Sequence, residues 1–502
     1  MAEEHFDVLI VGAGLSGIGA AHHLQQRCPG KSYAILEARE EIGGTWDLFR
    51  YPGIRSDSDM HTLGYRFRPW TEAKSIADGP SILRYVRDAA RDGGIDRHIR
   101  FQHRVVAADW SSEEARWTVT AERADTGETA TLSCDFLFVN SGYYRYDQGY
   151  TPDFPGIERF QGEVVHPQHW PEDLDYAGKR VVVIGSGATA VTLVPAMAER
   201  AAKVTMLQRS PTYVVSMPGE DAIANWLRRH LPDRAAYPIV RWKNVILQRI
   251  SYVISRRRPE LMKKLLRRGV MKALPPGYDV DTHFKPKYNP WDQRLCLVPD
   301  ADLFRALGSD RAEIVTDGIK TFSGDGIELE SGAKLEADVV ITATGLNLLF
   351  LGGARLTLDG AEPDLRRALT YKGMMLSDIP NFAYTLGYTN ASWTLKADLT
   401  SEYVCRLLNH MEAGGYRVCE PHVSDPAVSE EPLMDLNSGY VLRSLAELPK
   451  QGSKEPWKLR QNYPVDLRML RRGPVEDGSM RFYNPRPRVQ SEAATQALAS
   501  AS

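Results

Sequence analysis

The sequence predicts an α/β protein of two doubly wound, Rossmann-like units that carries a helical insert. Three observations predict it. An apolar strand, a glycine loop and a helix open the chain; the same pattern returns near residue 180; and a basic segment studded with apolar residues runs from about Pro218 to Pro290. At 502 residues the chain has room for two or three domains, and 43% hydrophobic with 25% charged residues suits a large buried core.

The first element is Phe6-Asp7-Val8-Leu9-Ile10-Val11, nearly continuous in apolar, β-branched residues as a strand buried on both faces should be. It runs into Gly12-Ala13-Gly14-Leu15-Ser16-Gly17 and a helical stretch through Ala20, Ala21 and Leu24. The first glycine permits the tight turn, the second lets backbone approach a pyrophosphate, and the third packs helix on strand. The helix then offers its unpaired N–H groups and positive dipole end to the phosphates. A second strand, Tyr33-Ala34-Ile35-Leu36, ends at Glu37, where an acid can grip ribose hydroxyls.

The pattern recurs at Arg180-Val181-Val182-Val183-Ile184, followed by Gly185-Ser186-Gly187-Ala188-Thr189-Ala190. Its next strand, Val204-Thr205-Met206-Leu207, ends at Gln208-Arg209-Ser210. No acid stands at this tip. An arginine does, and a guanidinium can hold a 2′-phosphate that a carboxylate would repel. The second site therefore favours NADPH, although a surface arginine can also be no more than a solvated charge.

An acidic and a basic ribose site in one chain describe a flavoprotein, FAD in the first site, reduced by NADPH in the second. Disulfide reductases share that plan but need a redox-active cysteine pair. Cys28, Cys134, Cys296, Cys405 and Cys419 are scattered and form no CxxC, so molecular oxygen is the natural electron acceptor. The same scatter predicts no metal site and fits a reducing cytosol. A formal net charge of −2 points to no polyanionic partner, so no nucleic acid is expected. Charged Glu3, Glu4 and Asp7 replace any secretory pattern, and no apolar run approaches the ~18 residues that span a bilayer. A cytoplasmic protein is expected.

Between the two glycine loops lies Phe160-Gln161-Gly162-Glu163-Val164-Val165-His166-Pro167-Gln168-His169-Trp170-Pro171. This stretch resembles the FxGxxxHxxxW(P/D) fingerprint of Baeyer–Villiger monooxygenases, which are class B flavoprotein monooxygenases. A second pattern of that family is matched from Gly43-Gly44 through Trp46, Tyr51, Pro52 and Gly53 to Asp57. Asn289-Pro290-Trp291-Asp292-Gln293-Arg294-Leu295-Cys296-Leu297 and the run Gly387 to Lys396 resemble the ethionamide-activating branch of the family. The likeness covers essentially the whole chain.

The resemblance implies an enzyme in which NADPH reduces FAD and oxygen forms a C4a-peroxyflavin. That species converts ketones to esters or lactones and oxidises sulfur in sulfides or thioamides. An NADPH oxidase or diaphorase that releases peroxide, or a flavin monooxygenase acting on heteroatoms alone, stays open beside it. By the same resemblance Arg294 is the active-site arginine and Asp57 its partner. A cation that cannot be deprotonated suits a reaction whose oxygen atoms gather negative charge. The implied FAD contacts are Gly12, Gly14, Ser16, Gly17, Glu37, Thr45, Trp46, Asp47, Leu48, Asp57 and Val105. The implied NADPH contacts are Arg55, Ser56, Asp57, Gly185, Ser186, Gly187, Ala188, Thr189, Ala190, Arg209 and Ser210. Gln293 stands where many members of the family carry a lysine that adds to 2′-phosphate recognition, which leaves more to Arg209. Phe160, Gly162, His166 and Trp170 are expected to serve packing and domain motion, and His166 is not read as a base.

The organisation expected is a first part of the FAD domain over 1–150, a first part of the NADPH domain over 151–217, and a basic helical insert over 218–290. A second part of the NADPH domain over 291–378 and a second part of the FAD domain over 379–490 follow. A disordered tail closes the chain over 491–502. The insert reads either as a solvated helical face over a substrate cavity or as a peripheral contact with anionic membrane.

Overall fold

The structure is a computed structural model that describes residues 4–485; the expected tail at 491–502 lies outside the described residues. Two sheets organise it. In the first, strand Glu4–Val11 is central, parallel to Tyr33–Leu36 on one side and to Thr129–Val139 on the other. The long strand Thr129–Val139 divides its outer edge: its first half pairs antiparallel with Arg116–Arg123, its last three residues parallel with Phe382–Tyr384. His103–Ser111 and then Arg355–Leu358 extend the antiparallel wing, and Ile99–Arg100 closes the other edge.

The continuous apolar run of the first strand has its physical reason in this layering. Val8 and Ile10 enter one core, while Leu9 and Val11 enter the core on the opposite face. Alternate side chains of a strand point to opposite faces, so a strand covered on both sides must be apolar throughout. Helices Leu15–Arg27, Gly79–Asp92 and Trp393–Gly414 cover the Val8 face.

The second sheet is entirely parallel, in the order Ala312–Thr316, Lys203–Gln208, Arg180–Ile184, Val339–Thr342, Glu163–Val165. Val181 and Val183 again face one core, Val182 and Ile184 another. The insert consists of helices Ala222–His230, Asp233–Arg257 and Pro259–Ala273, with the short turn Val280–His283 behind them.

The return to the first sheet comes earlier than the expected boundary at 379. Strand Arg355–Leu358, inside the segment assigned to the NADPH domain, pairs with His103–Ser111 of the first sheet. Four residues reading Arg-Leu-Thr-Leu at a sheet edge carry no pattern long enough to say which sheet they join.

Candidate active site

Gly12 adopts φ +101°, and a Cβ there would lie 2.7 Å from the Asn140 carbonyl oxygen at the end of Thr129–Val139. A Cβ on Gly17 would overlap the Gly12 carbonyl itself. Both glycines are thus required by the turn, and Gly14 lies against Gly44, whose neighbour Gly43 donates its N–H to the Ala13 carbonyl at 3.2 Å. Helix Leu15–Arg27 starts with no side-chain cap, so its first N–H groups face the space above the loop. A tight, side-chain-free turn leading into an uncapped helix fits a pyrophosphate.

Glu37 is buried at the end of its strand, accepting from the Ala13 N–H at 2.6 Å and the Arg39 N–H at 2.9 Å. Burial pushes its carboxyl above the usual range, although both amides work against that. Val105 is buried on the neighbouring strand, two residues beyond the His103 N–H that donates to the Glu37 carbonyl. Ser16 receives the Trp393 indole N–H at 2.7 Å. The short helix Thr45–Leu48 is anchored by Asp47, buried under Arg39 at 2.6 Å and Arg87 at 3.2 Å. Thr45 meets the Tyr146 hydroxyl at 3.2 Å, Trp46 packs on the first core, and Leu48 is buried in the core of the second unit.

The second loop repeats the first with one difference. Gly185 has φ +138°, and a Cβ there would strike the Ala343 carbonyl, but Gly187 has no atom within 4 Å of its Cβ position. Ser186 donates to the Ser210 carbonyl at 3.1 Å, and helix Ala188–Met197, with Thr189 and Ala190 in its first turn, also starts without a side-chain cap. At the adjoining strand tip Gln208 is buried, bonded to His283 and Thr316. Arg209 and Ser210 are exposed, and among the described residues no side chain pairs with the Arg209 guanidinium. A free guanidinium beside an open glycine loop fits a phosphorylated ribose.

The segment from Gly43 to Asp57 spans the two units. Tyr51 reaches Thr189, and Gly53 sits so close to Ala196 and Thr192 that a Cβ would lie 2.7 Å from the Ala196 Cβ. Ser56 is buried on its own turn, accepting from the Ser58 N–H at 2.9 Å. Arg55, expected at the nicotinamide, is held in an ion pair with Asp302. Asp57 ends the segment 2.7 Å from Arg294, each side chain about a third exposed. Arg294 is placed from the other side by strand Cys296–Pro299, whose Cys296 lies against Ser186 of the second loop.

The Asp57 carboxylate raises the Arg294 pKa further above its already high value, outweighing burial. Three tyrosines that sequence reasoning missed, Tyr143, Tyr144 and Tyr440, also face the guanidinium. Burial holds all three phenols above their ordinary range, so they remain donors near neutrality. Tyr143 stacks on Trp393 at 5.2 Å, and Trp393 in turn bonds Ser16. The first glycine loop and Tyr143 are thus joined by one contiguous path through Trp393. The available signal was the position of Ser141-Gly142-Tyr143-Tyr144, directly after the strand whose end forms the floor of Gly12.

The fingerprint residues lie away from that path. His166 bonds the Gly345 carbonyl through Nε2 at 3.1 Å and accepts from the Gln168 N–H, and its ring fills the space a Cβ on Gly149 would need. Gln168 donates to the Arg145 and Tyr146 carbonyls, both at 2.8 Å. Phe160 packs on Phe322 and against Gly162, and Trp170 on the second core. These contacts tie the linker to the strand exits of both sheets. A narrow groove lies between helix Asp233–Arg257 and the segments Asn390–Leu395 and Gln461–Pro464. Its wall residue Tyr252 meets Trp291, three residues before Arg294.

The Flavin-binding monooxygenase-like family model matches residues 74–231, and the NAD(P)-binding Rossmann-like domain model matches residues 10–76. The chain is 60% identical over 480 residues to the FAD-containing monooxygenase EthA of Mycobacterium tuberculosis, covering 95% of this chain and 98% of that protein. It is 57% identical over 489 residues to EthA of Mycolicibacterium smegmatis, covering 97% and 99%. In fold it is similar to an oxidized steroid monooxygenase bound to NADP, with TM-score 0.76, 23% identity, and 96% and 100% of the two chains covered. It is likewise similar to OTEMO in complex with FAD and NADP, with TM-score 0.69, 24% identity, and 84% and 87% covered. With two glycine loops opening uncapped helices and this identity over nearly its full length, the chain belongs to the FAD-containing, NADPH-dependent flavin monooxygenases.

Proposed function

We propose that this enzyme is a Baeyer–Villiger monooxygenase that inserts one atom of O2 beside a ketone carbonyl, giving an ester or lactone. The same site would oxidise sulfur in sulfides or thioamides. FAD, when bound, supplies the two-electron chemistry that takes hydride from NADPH and activates oxygen. On this reading the Gly12–Gly17 loop, Ser16, Glu37, Thr45–Leu48 and Val105 hold FAD. The Gly185–Ala190 loop, Arg209 and Ser210 hold NADPH, with Arg55, Ser56 and Asp57 on its nicotinamide side.

The observation that carries the reading is the Arg294–Asp57 pair at 2.7 Å, walled by tyrosines and reached from both cradles. Insertion beside a carbonyl loads negative charge onto oxygen, first on the attacking atom and then on the former carbonyl. Arg294 offers a permanent cation with several fixed donors to that charge, and Asp57 sets its orientation. Tyr143, stacked on Trp393, adds a neutral phenol near the cation.

Arg294→Ala tests this. Loss of one preorganised electrostatic donor costs about 3–4 kcal/mol at the transition state it serves, so ester formation should fall by roughly two to three orders of magnitude. NADPH oxidation should continue, with electrons released as hydrogen peroxide, and Arg294→Lys should recover only part of the ester. Ester formation by Arg294→Ala at near wild-type rate would overturn the proposal.

A further inference from the structure

The insert helices present the wrong face to solvent. On Asp233–Arg257 the buried positions are Ala236, Tyr237, Val240, Arg241, Val245 and Ser255, as expected for a packed helix. The outward stripe is also apolar: Ile239, Trp242, Ile246, Ile250 and Ile254 recur at helical spacing and are 36 to 50% exposed. Trp226 on the preceding helix and Leu261 and Leu265 on the following one are 50 to 56% exposed. Most of the exposed large apolar side chains among the described residues fall within 217–273. A scattered apolar residue on a surface needs no explanation, but a stripe about 22 Å long on one helix does.

Charge singles out what covers it. Residues 222–273 contain fourteen Lys and Arg against two acidic residues, in a chain whose net charge is −2. Arg229, Arg257, Arg258, Lys264 and Arg268 are exposed, and among the described residues no carboxylate pairs with them. A second copy of this chain laid symmetrically on the patch would set these cations against one another. An anionic bilayer accepts both parts, the stripe at the acyl boundary and the cations at the headgroups, with the two tryptophans at the depth indole rings prefer. No helix among the described residues is long and apolar enough to cross a membrane.

We propose that the insert is a monotopic seat through which the enzyme docks on an anionic lipid surface, burying the Ile239–Ile254 stripe. The narrow groove under the same helix, walled by Val245, Gln248 and Tyr252 on the insert side, then stands at the bilayer boundary. This seat stands whether or not the oxygen-insertion reading holds, since it rests on the surface of the insert alone.

Flotation of the FAD-loaded enzyme with phosphatidylcholine vesicles, with and without one third phosphatidylglycerol, tests the seat. Binding should require the anionic lipid and weaken as salt is raised beyond physiological strength. Arg257→Glu with Arg258→Glu should lower the vesicle partition by roughly tenfold or more. Trp242→Ser, Ile246→Ser and Ile250→Ser combined should abolish flotation. Ile246 and Ile250 are half exposed and Trp242 touches the fold through Tyr463, so retained FAD and circular dichroism must accompany the loss of flotation. No flotation of the wild type, or flotation indifferent to lipid charge and salt, would overturn the proposal. So would a dimer that the serine variant dissociates, because the stripe would then be covered by a second copy.

Discussion

Glu37 and Arg209 occupy equivalent places, each at the tip of the strand that follows a glycine loop, and they carry opposite charge. The strand-tip position is fixed by the βαβ spacing, so the side chain there decides which ribose is accepted. On the proposed assignment the exposed, unpaired Arg209 holds the NADPH 2′-phosphate, with Gln293 adding no charge. Arg209→Ala should weaken NADPH by roughly ten- to a hundredfold, the effect of losing about 1.5–3 kcal/mol of charge-assisted bonding, and leave NADH nearly unchanged. Titration of both coenzymes checks this, and equal losses would remove Arg209 from the site. Arg294 and Asp57 were singled out for a different reason, the resemblance of the motifs that carry them, and the structure brings the two side chains to 2.7 Å. The tyrosines near Arg294 were not, because the position of a Tyr-Tyr pair just after a strand is a weak signal that gains meaning only from what folds against it.

At the scale of elements, helix Trp393–Gly414 shows how a charged helix can be buried. Asp398 lies 3.2 Å from His23 on Leu15–Arg27 and 3.6 Å from Arg241 on the insert helix Asp233–Arg257. Arg241 also donates to the His61 and Gly64 carbonyls at 2.8 Å each. Four elements are thus joined through two buried side chains. Breaking a buried ion pair from one side costs about 3–5 kcal/mol, because the other charge is left without a partner. Arg241→Met, close in volume, should lower unfolding free energy by about that amount in urea; a loss under about 1 kcal/mol would show the network to be dispensable.

The same carboxylate sets a pH dependence. Burial by itself would raise the Asp398 pKa, but the His23 bond, the Arg241 charge and the Arg66 amide outweigh it and hold the group below the usual carboxylate range. A depressed folded pKa contributes stability above the unfolded value, near 4, and loses it as pH falls through the folded value. The stability gap between wild type and Asp398→Asn should therefore narrow as pH drops from about 5 towards 3.

Over the whole molecule, the chain leaves the first sheet after Thr129–Val139 and returns through Arg355–Leu358 and Phe382–Tyr384. The first unit is therefore completed only after the second has been built, and the surroundings of its glycine loop, the proposed FAD site, join residues far apart in sequence, such as Ser16 and Trp393. A ligand bound at such a seam should stabilise the assembled fold as a unit. FAD at about one hundred times its Kd should add about 2.7 kcal/mol, visible as a raised Tm. The flavin should be recovered free after acid precipitation, since the sequence carries no recognised histidyl or cysteinyl attachment pattern. Flavin retained on the denatured polypeptide would contradict that.

The sequence by itself determined what depends on local rules. The two glycine loops, their strands and the ribose charges follow from backbone conformation and spacing within some thirty residues, and the helical character of the insert from its composition. Tertiary structure alone decided what depends on residues brought together from afar. It set the early return of Arg355–Leu358 to the first sheet, the tyrosine wall around Arg294, the engagement of Arg55 by Asp302, and the outward direction of the insert's apolar stripe. The physical reason is the same in each case. A glycine turn or a strand tip carries its constraint in its own backbone, whereas the sheet an edge strand joins and the face a helix buries are settled by the surface that packs against them.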